Sequence, residues 1–226
     1  MSKTNIEQPP QIPPILEGNR PLWSVMIPSY NCANYLKETL QAVLMQAPGP
    51  EVMQIEVVDD FSTKDDPEAV VNEIGKGRVG FFRQEKNVGS LKNFETCLKR
   101  SRGHLVHQLH GDDKILNGFY IKMQDLFEKF PNIGAAFCRH AFIDSQGTHL
   151  SFSRIEREES GILDNWLELI SQRNRIQTPS IVVKREVYED LGAFRCVHYG
   201  EDWEMWARIA SKYPMGYVPI PLAAYR

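Results

Sequence analysis

The chain has 226 residues, a formal net charge of -3 and a pI near 6.1, and 42% of its residues are hydrophobic. These values suit one globular α/β domain and give no reason to expect nucleic acid as a partner. No apolar run approaches the roughly 20 residues of a membrane span, and residues 1–14 lack the apolar core of a secretory signal. The four scattered cysteines are therefore predicted to be reduced thiols of a cytoplasmic protein.

Residues 1–20 are polar, rich in proline and without periodicity, which predicts a flexible leader before a single domain over residues 21–226. In chain order, the spacing of apolar residues and turn formers predicts strand 22–28, helix 33–46, strand 53–60, helix 65–74, strand 78–82, helix 91–102, strand 104–109, helix 117–130 and strand 133–138. The looser pattern that follows predicts a hairpin over 141–152, helix 162–172, strand 180–184, and helices 186–192 and 200–213. Strands that alternate with helices predict a mostly parallel sheet with helices on both faces.

The segment HLVHQLHGDD, residues 104–113, carries a histidine at every third position. On a helix, His104 and His107 would share one face, whereas on a strand the side chain of His107 points away from the other two histidines. Because a strand is due here, we expect no three-histidine zinc site. His104 and His107 are interpreted as packing residues.

Asp112 and Asp113 follow Gly111 at the end of that strand. In a mostly parallel sheet, ligands bind at the carboxyl ends of the strands. Adjacent carboxylates at such an edge suit Mg²⁺ or Mn²⁺, which proteins often share with substrate phosphates. Taken alone, however, the pair is more typical of turn residues that cap the next helix.

Two earlier strand ends carry groups of a similar kind. The residues concerned are Pro28, Tyr30, Asn31, Asp59 and Asp60. A tyrosine at such a position can stack on a flat base, and a carboxylate can accept a hydrogen bond from a base N–H. The convergence of three polar strand ends on one edge favours a nucleotide and metal site over separate packing and capping roles.

In this order the motifs resemble those of the family 2 inverting nucleotide-sugar glycosyltransferases, which have the GT-A fold. The resemblance covers residues 22–226 and rests on the stretches SVMIPSYNCANYLKETLQAVLMQ, IEVVDDFSTKD, KNVGSLKNF, GDD, SIVVKREVYEDLGAF and GEDWEMWARIA. It implies a Rossmann-like sheet with a nucleotide-sugar-binding half over residues 21–138. Residues 139–226 would then form a smaller acceptor-side subdomain.

The resemblance also implies a role for each matching residue. Asp112 and Asp113 would form the metal-binding motif, Asp112 would also contact the donor, and Asp202 would be the catalytic base. The remaining residues expected at the donor site are Pro28, Tyr30, Asn31, Asp59, Asp60 and Lys92. Within this set Asp60, alone or together with Asp59, would contact the base, commonly uracil, whereas Lys92 is equally typical of a solvated helix residue.

The chemistry of glycosyl transfer agrees with this assignment. A base must deprotonate the acceptor hydroxyl, and a divalent cation can compensate the charge of the departing diphosphate. We therefore expect an enzyme that uses Mn²⁺ or Mg²⁺ to move a sugar from a UDP-linked donor to a hydroxyl of a glycan or lipid-linked acceptor. Its expected setting is cell-surface polysaccharide synthesis, with peripheral association at the inner face of the cell membrane.

Two features differ from the family's pattern. His110 occupies the first acidic position of the usual Asp-x-Asp-Asp motif, and the sequence ends at PLAAYR, where relatives often continue. A minimal family member and part of a longer protein both fit this ending. A non-catalytic nucleotide- or glycan-binding module is one alternative. A sugar-nucleotidyltransferase is a second alternative, although PSYNCANY lacks the glycine-rich loop that those enzymes carry.

Overall fold

The computed structural model describes residues 8–226. Its strands are β1 (Trp23–Ser29), β2 (Met53–Asp59), β3 (Gly80–Arg83), β4 (Leu105–Gln108), β5 (Lys114–Ile115), β6 (Ala135–Ile143), β7 (His149–Phe152), β8 (Gly161–Ile162), β9 (Ile181–Lys184) and β10 (Met215–Tyr225). Its helices are α1 (Ala33–Leu44), α2 (Pro67–Gly75), α3 (Ser90–Arg100), α4 (Phe119–Lys129), α5 (Trp166–Gln172), α6 (Arg185–Leu191) and α7 (Glu201–Ala210). None of these helices has the length and hydropathy that a membrane span requires.

The strands join one mixed sheet in the order β3-β2-β1-β4-β9-β6-β10-β5, with β7 paired to β6 and β8 to β10. The β3-β2-β1-β4 half is parallel, as predicted, and so is the pair of β6 and β10. The remaining strands, β5, β7, β8 and β9, all pair antiparallel. The predicted parallel arrangement thus forms the first half of the sheet, and in the second half antiparallel strands surround the parallel pair of β6 and β10.

Helices cover both faces of the sheet, as the sequence predicts. Side chains alternate along β1, so Val25 and Ile27 belong to one apolar cluster and Met26 to another. Helices α1, α2 and α4 contribute to the first cluster, and α3, α5, α6 and α7 contribute to the second. The core is thus two apolar layers with the sheet between them.

The longest strand, β10, is absent from the sequence prediction. It contains Pro219 and Pro221, and proline cannot donate a hydrogen bond to a neighbouring strand. The structure accommodates these prolines at shifts in register between Val218 and Ala223. β10 runs next to β6 inside the sheet and delivers Arg226 to the edge where β4 ends.

Part of the predicted leader, residues 9–13, packs against the domain, whereas residues 14–20 are mostly exposed. Ile12 is 2% exposed, the Pro10 carbonyl accepts a hydrogen bond from the backbone N–H of Ala193, and the Pro13 carbonyl accepts one from Arg185. This packing differs from the flexible leader expected over residues 1–20, of which residues 1–7 lie outside the described residues. The expected boundary between the two halves, at residue 138, falls inside β6.

Candidate active site

Three parallel strands end side by side at one edge of the sheet. Because β1 pairs with β2 on one side and β4 on the other, the segments that follow these strands are neighbours. With the start of α3 they enclose a cleft of about 340 Å³, here called the β1–β4 cleft. Its lining includes Pro28, Tyr30, Asp60, Asn93, His110 and Asp112.

Tyr30 and Asn31 differ in their relation to this cleft: the first lines it, and the second bonds to a neighbouring loop. Tyr30 is 49% exposed and lines the cleft, so its ring is accessible to a ligand. Asn31 has a left-handed backbone, with φ of 51°, and its Oδ1 accepts from the backbone N–H groups of Thr63 and Lys64 at 2.9 and 3.0 Å. Asn31 therefore ties the loop after β2 to the end of β1, and it is not among the residues that line the cleft.

The carboxylates of Asp59 and Asp60 both accept hydrogen bonds from backbone N–H groups of the protein. Asp59 is fully buried and accepts from the backbone N–H of Ser62 at 3.0 Å. The two oxygens of Asp60 accept from the backbone N–H groups of Val88 and Gly89 at 2.7 and 2.9 Å. Asp60 therefore lines the cleft while it holds the turn before α3, and Asp59 supports the loop behind it.

Lys92 lies on the exposed side of α3, outside the lining of the β1–β4 cleft. The next two residues, Asn93 and Phe94, line the cleft instead. The Asn93 side chain is buried and donates to the Val58 carbonyl at 2.9 Å. The exposed position of Lys92 fits the solvated-helix interpretation, and the side of α3 that faces the cleft is that of Asn93 and Phe94.

His110, Asp112 and Asp113 bring one nitrogen and two carboxylate oxygens within 4.8 Å of one another. The Nδ1 atom of His110 lies 3.9 Å from Oδ2 of Asp113. That Oδ2 atom and Nε2 of His110 are buried and have no hydrogen-bond partner among the described residues. Because buried polar atoms are normally paired, these unpaired ligand atoms fit a divalent cation of the Mn²⁺ type.

The fold holds Asp113 firmly in this cluster. Its Oδ1 accepts from the backbone N–H of Arg226 at 2.9 Å, and its carbonyl accepts from the Thr39 hydroxyl at 2.6 Å. Burial, and then the charge of Asp112, raise the pKa of the Asp113 carboxyl well above its ordinary value. A cation bound here would oppose both effects, because positive charge favours the ionised carboxylate.

A second cleft, of about 450 Å³, lies beside the first and is here called the α7 cleft. Its lining includes Gln108, Asn174, Tyr199, Asp202, Trp203 and Tyr225. Phe94 and His110 line both clefts, and their rings stack with centroids 5.0 Å apart. The two clefts therefore meet at this stacked pair.

Asp202 lies in the first turn of α7, where the helix dipole favours a negative charge. Its Oδ2 accepts from Nδ2 of Asn174 at 3.1 Å, and its Oδ1 accepts from the backbone N–H of Trp203 at 2.7 Å. The N-cap residue, Gly200, has φ of 74°, a left-handed conformation that glycine adopts without a steric cost. The carboxylate is thus oriented by two hydrogen bonds at the wall of the α7 cleft.

Carboxylates from both clefts act on the pKa values of the same two side chains, Tyr225 and His110. Burial raises the pKa of Tyr225, and the charges of Asp113, Asp112 and Asp202 raise it further. Burial lowers the pKa of His110, whereas nearby carboxylates, Asp112 first, act in the opposite direction. At this edge of the sheet His110 therefore lies between the carboxylates of Asp112 and Asp113, with which it could hold a metal ion, and the carboxylate of Asp202 at the start of α7.

Comparison with known proteins agrees with this architecture. Residues 24–192 match the family model described as glycosyl transferase family 2. The chain belongs to glycosyl transferase family 2. The matched range contains the β1–β4 cleft and the acidic cluster, whereas Asp202 and Arg226 lie beyond its end.

Relatives of this family 2 chain come from distant organisms. An uncharacterized protein of Mycobacterium tuberculosis is 29% identical over 92% of the chain and 67% of its own length. An uncharacterized glycosyltransferase of Mycoplasma genitalium is 30% identical over 52% of the chain and 40% of its length. Chondroitin synthase of Escherichia coli is 30% identical over 58% of the chain but only 19% of its length. The chain thus spans two thirds or less of these relatives.

Solved structures share the fold. S. aureus TarS in complex with UDP-GlcNAc superposes with a TM-score of 0.72 at 17% identity, over 90% of this chain and 58% of TarS. The mannosyltransferase PcManGT of Pyrobaculum calidifontis, in complex with GDP-Man and Mn²⁺, gives a TM-score of 0.66 at 18% identity, over 99% of this chain and 60% of the other. These likenesses confirm the predicted GT-A fold.

The structure places His104, His107 and His110, the three histidines of the segment around β4, in three different surroundings. His107 is fully buried, with Nε2 3.0 Å from the Pro179 carbonyl and Nδ1 3.3 Å from the Tyr120 hydroxyl. Burial lowers the pKa of His107 to about 3. His110 lies on the other face with the acidic cluster, and His104 is exposed at the opposite end of the strand. The prediction that these three histidines form no common metal site agrees with these positions.

Several residues of the site are absent from the sequence prediction. They are Asn93, Phe94, Gln108, Asn174, Tyr225 and Arg226. Asn93 and Phe94 belong to the KNVGSLKNF motif, and the position of Lys92 within it gave the only available signal. Asn174 and Arg226 reach the site through contacts with residues 28 to 113 positions away, as with Asp202 and Asp113. Local sequence pattern carries no information on such contacts.

Proposed function

We propose that this chain is the catalytic domain of a metal-dependent inverting glycosyltransferase. It takes a nucleotide-diphosphate sugar, preferably UDP-linked, and transfers the sugar to a hydroxyl of a glycan or lipid-linked acceptor. The observation that carries the proposal is the meeting of the two clefts at Phe94 and His110, with Asp112 on one side and Asp202 on the other. The proposal also rests on membership of family 2.

In this proposal the β1–β4 cleft binds the nucleotide. Tyr30 supplies an accessible ring for stacking against the base, and Pro28 forms the adjacent wall. Asp60 shapes the cleft by fixing the turn at Val88 and Gly89, and its carboxylate retains lone pairs for a base N–H. We assign Asn31 and Asp59 to the support of these segments, and Lys92 to the outer rim.

Asp112, Asp113 and His110 would hold the divalent cation beside the diphosphate. The cation would offset the charge of the leaving group, which is the contribution that carboxylate-bound Mg²⁺ or Mn²⁺ makes in phosphate chemistry. The imidazole of His110 favours Mn²⁺ over Mg²⁺, because Mg²⁺ prefers oxygen ligands. Asp113 is oriented by the backbone N–H of Arg226, so it can present its free oxygen to the cation without rotating.

Asp202 would act as the general base. The acceptor hydroxyl would enter the α7 cleft, give its proton to the Asp202 carboxylate and attack the anomeric carbon from the side opposite the diphosphate. One displacement of this kind inverts the anomeric configuration and requires no carboxylate nucleophile. Asn174 keeps the Asp202 carboxylate in position through its amide hydrogen bond.

The setting of the reaction belongs to the same proposal. The acceptor would be a glycan or a lipid-linked sugar at the inner face of the cell membrane, in the synthesis of a surface polysaccharide. The GT-A relatives bind nucleotide sugars of two kinds, UDP-GlcNAc in TarS and GDP-Man in PcManGT. The fold therefore accommodates both bases, and the choice of UDP rests on the family resemblance.

A thermal-shift screen tests the proposal. The chain is heated with UDP, GDP and their common sugar derivatives, each with and without Mn²⁺. A ligand present at 100 times its dissociation constant stabilises the protein by about 2.7 kcal/mol, which raises the midpoint by several degrees. We expect a shift that requires both a specific nucleotide and Mn²⁺ and that disappears in Asp112→Ala. Absence of a shift with every nucleotide would contradict the proposal.

Hydrolysis of the bound donor separates an enzyme from a binding module. A transferase hydrolyses its donor slowly in the presence of Mn²⁺, and Asp202→Asn abolishes this turnover while the thermal shift persists. A wild-type protein that binds the donor without any hydrolysis or transfer would favour the non-catalytic alternative.

A further inference from the structure

Gln108 is the last residue of β4, and its side chain lines the α7 cleft. The residue is 3% exposed, yet neither Oε1 nor Nε2 of its carboxamide has a hydrogen-bond partner among the described residues. Side chains alternate on β4, so Gln108 projects to the same side as Val106, which packs in the layer of α3, and His110 stacks on Phe94 of α3. Nε2 of His110 is also buried without a partner and lines the same cleft.

An unpaired buried carboxamide requires an explanation. The large majority of buried side-chain polar atoms have a hydrogen-bond partner, because a buried polar atom without one has lost its hydration and gained nothing in return. Val106, two positions earlier on β4, is 1% exposed and belongs to the apolar core on the side to which Gln108 projects. An apolar residue would be stable there, so the carboxamide is expected to have its partner in a ligand.

The location indicates which ligand. In the proposed reaction the donor sugar must lie between the diphosphate at Asp112 and the base at Asp202, and Gln108 lines the cleft that contains Asp202. A carboxamide has one acceptor oxygen and one donor nitrogen side by side. Two neighbouring hydroxyls of a pyranose, one donating and one accepting, satisfy both groups at once.

We propose that Gln108 is a specificity-determining residue that binds a pair of adjacent hydroxyls on the donor sugar. The inference rests on the proposed function, and it adds a residue whose contact is with the sugar and not with the nucleotide. A site that hydrogen-bonds a substrate hydroxyl discriminates strongly against analogues without it, because its buried polar groups are then left unpaired. Gln108 therefore selects among donors that share one nucleotide.

The test compares nucleotide sugars with bare nucleotides in Gln108→Met, which keeps the length of the side chain and removes both polar atoms. Calorimetry with Mn²⁺ measures the affinity for UDP-glucose, UDP-galactose, UDP-N-acetylglucosamine and GDP-mannose, and for UDP and GDP. The matched control is Gln124→Met, the same substitution on α4, whose side chain bonds Glu128 in an exposed position.

We expect wild type and the control to bind one nucleotide sugar more tightly than its nucleotide. In Gln108→Met this advantage falls by about 10-fold or more, since both hydrogen bonds to the sugar are lost, while the affinity for the bare nucleotide stays within about 2-fold. The thermal midpoint of the ligand-free variant is expected to equal or exceed that of wild type, because an unpaired buried group has been removed.

Three results would overturn the inference. An unchanged advantage of the nucleotide sugar in Gln108→Met would show that the carboxamide does not contact the sugar. An equal loss of affinity for nucleotide and nucleotide sugar, with a lower thermal midpoint, would assign Gln108 a purely structural role. A wild-type protein that binds UDP or GDP but prefers none of the four sugar derivatives would refute the sugar contact while leaving the nucleotide site intact.

Discussion

The β1–β4 cleft and the α7 cleft meet at one stacked pair but are built in different ways. The β1–β4 cleft lies where parallel strands that are adjacent in the sheet end together, and the bond from Gly89 to Asp60, 29 positions apart, fixes the turn before α3 at this edge. The α7 cleft combines a helix start, the loop around Asn174 and the end of β10, which are distant in sequence. The place of the β1–β4 cleft thus follows from the order of the parallel strands, whereas the α7 cleft is assembled from segments that do not belong to neighbouring parallel strands.

The largest expected effect comes from the α7 cleft. Asp202→Asn keeps the shape of the side chain but removes the proton acceptor, and general-base catalysis contributes about 10²- to 10⁴-fold. We expect kcat for donor turnover to fall by that factor, with donor affinity unchanged within about 3-fold in calorimetry. Glu201→Gln, at the neighbouring position in the same helix turn, serves as the control and should retain most activity. Equal losses in both variants would contradict the assignment of the base.

The corresponding change in the β1–β4 cleft is Asp112→Asn. It removes one carboxylate charge from the cluster with His110 and Asp113, and we expect the affinity for Mn²⁺ in the presence of nucleotide to fall about 10- to 100-fold. Titration of Mn²⁺ followed by its EPR signal measures this directly. Nucleotide affinity without metal should stay the same, and a loss in the absence of metal would show that Asp112 acts on the nucleotide itself.

A smaller effect is expected where the α7 cleft depends on a long-range bond. Asn174→Ala removes the hydrogen bond to Oδ2 of Asp202, so the carboxylate loses its orientation and kcat should fall about 10-fold. The KM for the donor should change little, because the donor does not depend on this bond. Asn72→Ala on the exposed face of α2 is the control. A raised KM with an unchanged kcat would indicate that Asn174 contacts substrate.

The smallest effect is on the pH dependence of the free energy of unfolding, and it comes from His107 on β4. His107 has an ordinary pKa of 6.5 and a folded pKa of about 3, because it is buried as the neutral form. Between these values the unfolded state binds the extra proton, so stability falls as pH drops below about 6.5. The His107 contribution is about 2 kcal/mol between pH 7 and pH 5.

Urea unfolding at pH 7 and pH 5 checks this dependence. We expect His107→Gln to be less stable than wild type at pH 7, because its contacts with Tyr120 and Pro179 are disturbed. Its further loss on going to pH 5 should be about 2 kcal/mol smaller than that of wild type. His149→Gln, on the exposed strand β7, should follow wild type. Equal acid losses in wild type and His107→Gln would contradict the buried neutral form.

The same contrast explains what the sequence could predict. Alternating apolar runs and helical periods predict β1, β2 and α1–α4, and polar residues after the strands indicate the edge that binds ligand. The antiparallel pairing of β9 and the prolines of β10 break that pattern, because they depend on the neighbours of these strands in the sheet. For the second half of the fold the sequence pattern therefore predicts separate elements without their pairing, and it misses β10.

Site residues divide in the same manner. The residue types of Asp112 and Asp113 and their place after a strand suffice to suggest a metal site, and the cluster of ligand atoms agrees with it. For Asp59, Asn31 and Lys92 the family motif predicts a ligand contact, which stays a prediction. Asp59 and Asn31 also bond to the loop after β2, and Lys92 is exposed on α3. Whether a polar side chain is engaged by its own fold depends on its three-dimensional partners.

The central claim is that the two clefts serve one reaction, with donor diphosphate on the Asp112 side of His110 and the reacting sugar on the Asp202 side. A crystal structure of the chain with Mn²⁺ and the nucleotide sugar found in the screen tests this most directly. We predict the base against Tyr30, the cation on Asp112 and Asp113, and the anomeric carbon facing Asp202 across the α7 cleft. A sugar directed away from Asp202, or a cation bound elsewhere, would contradict the account.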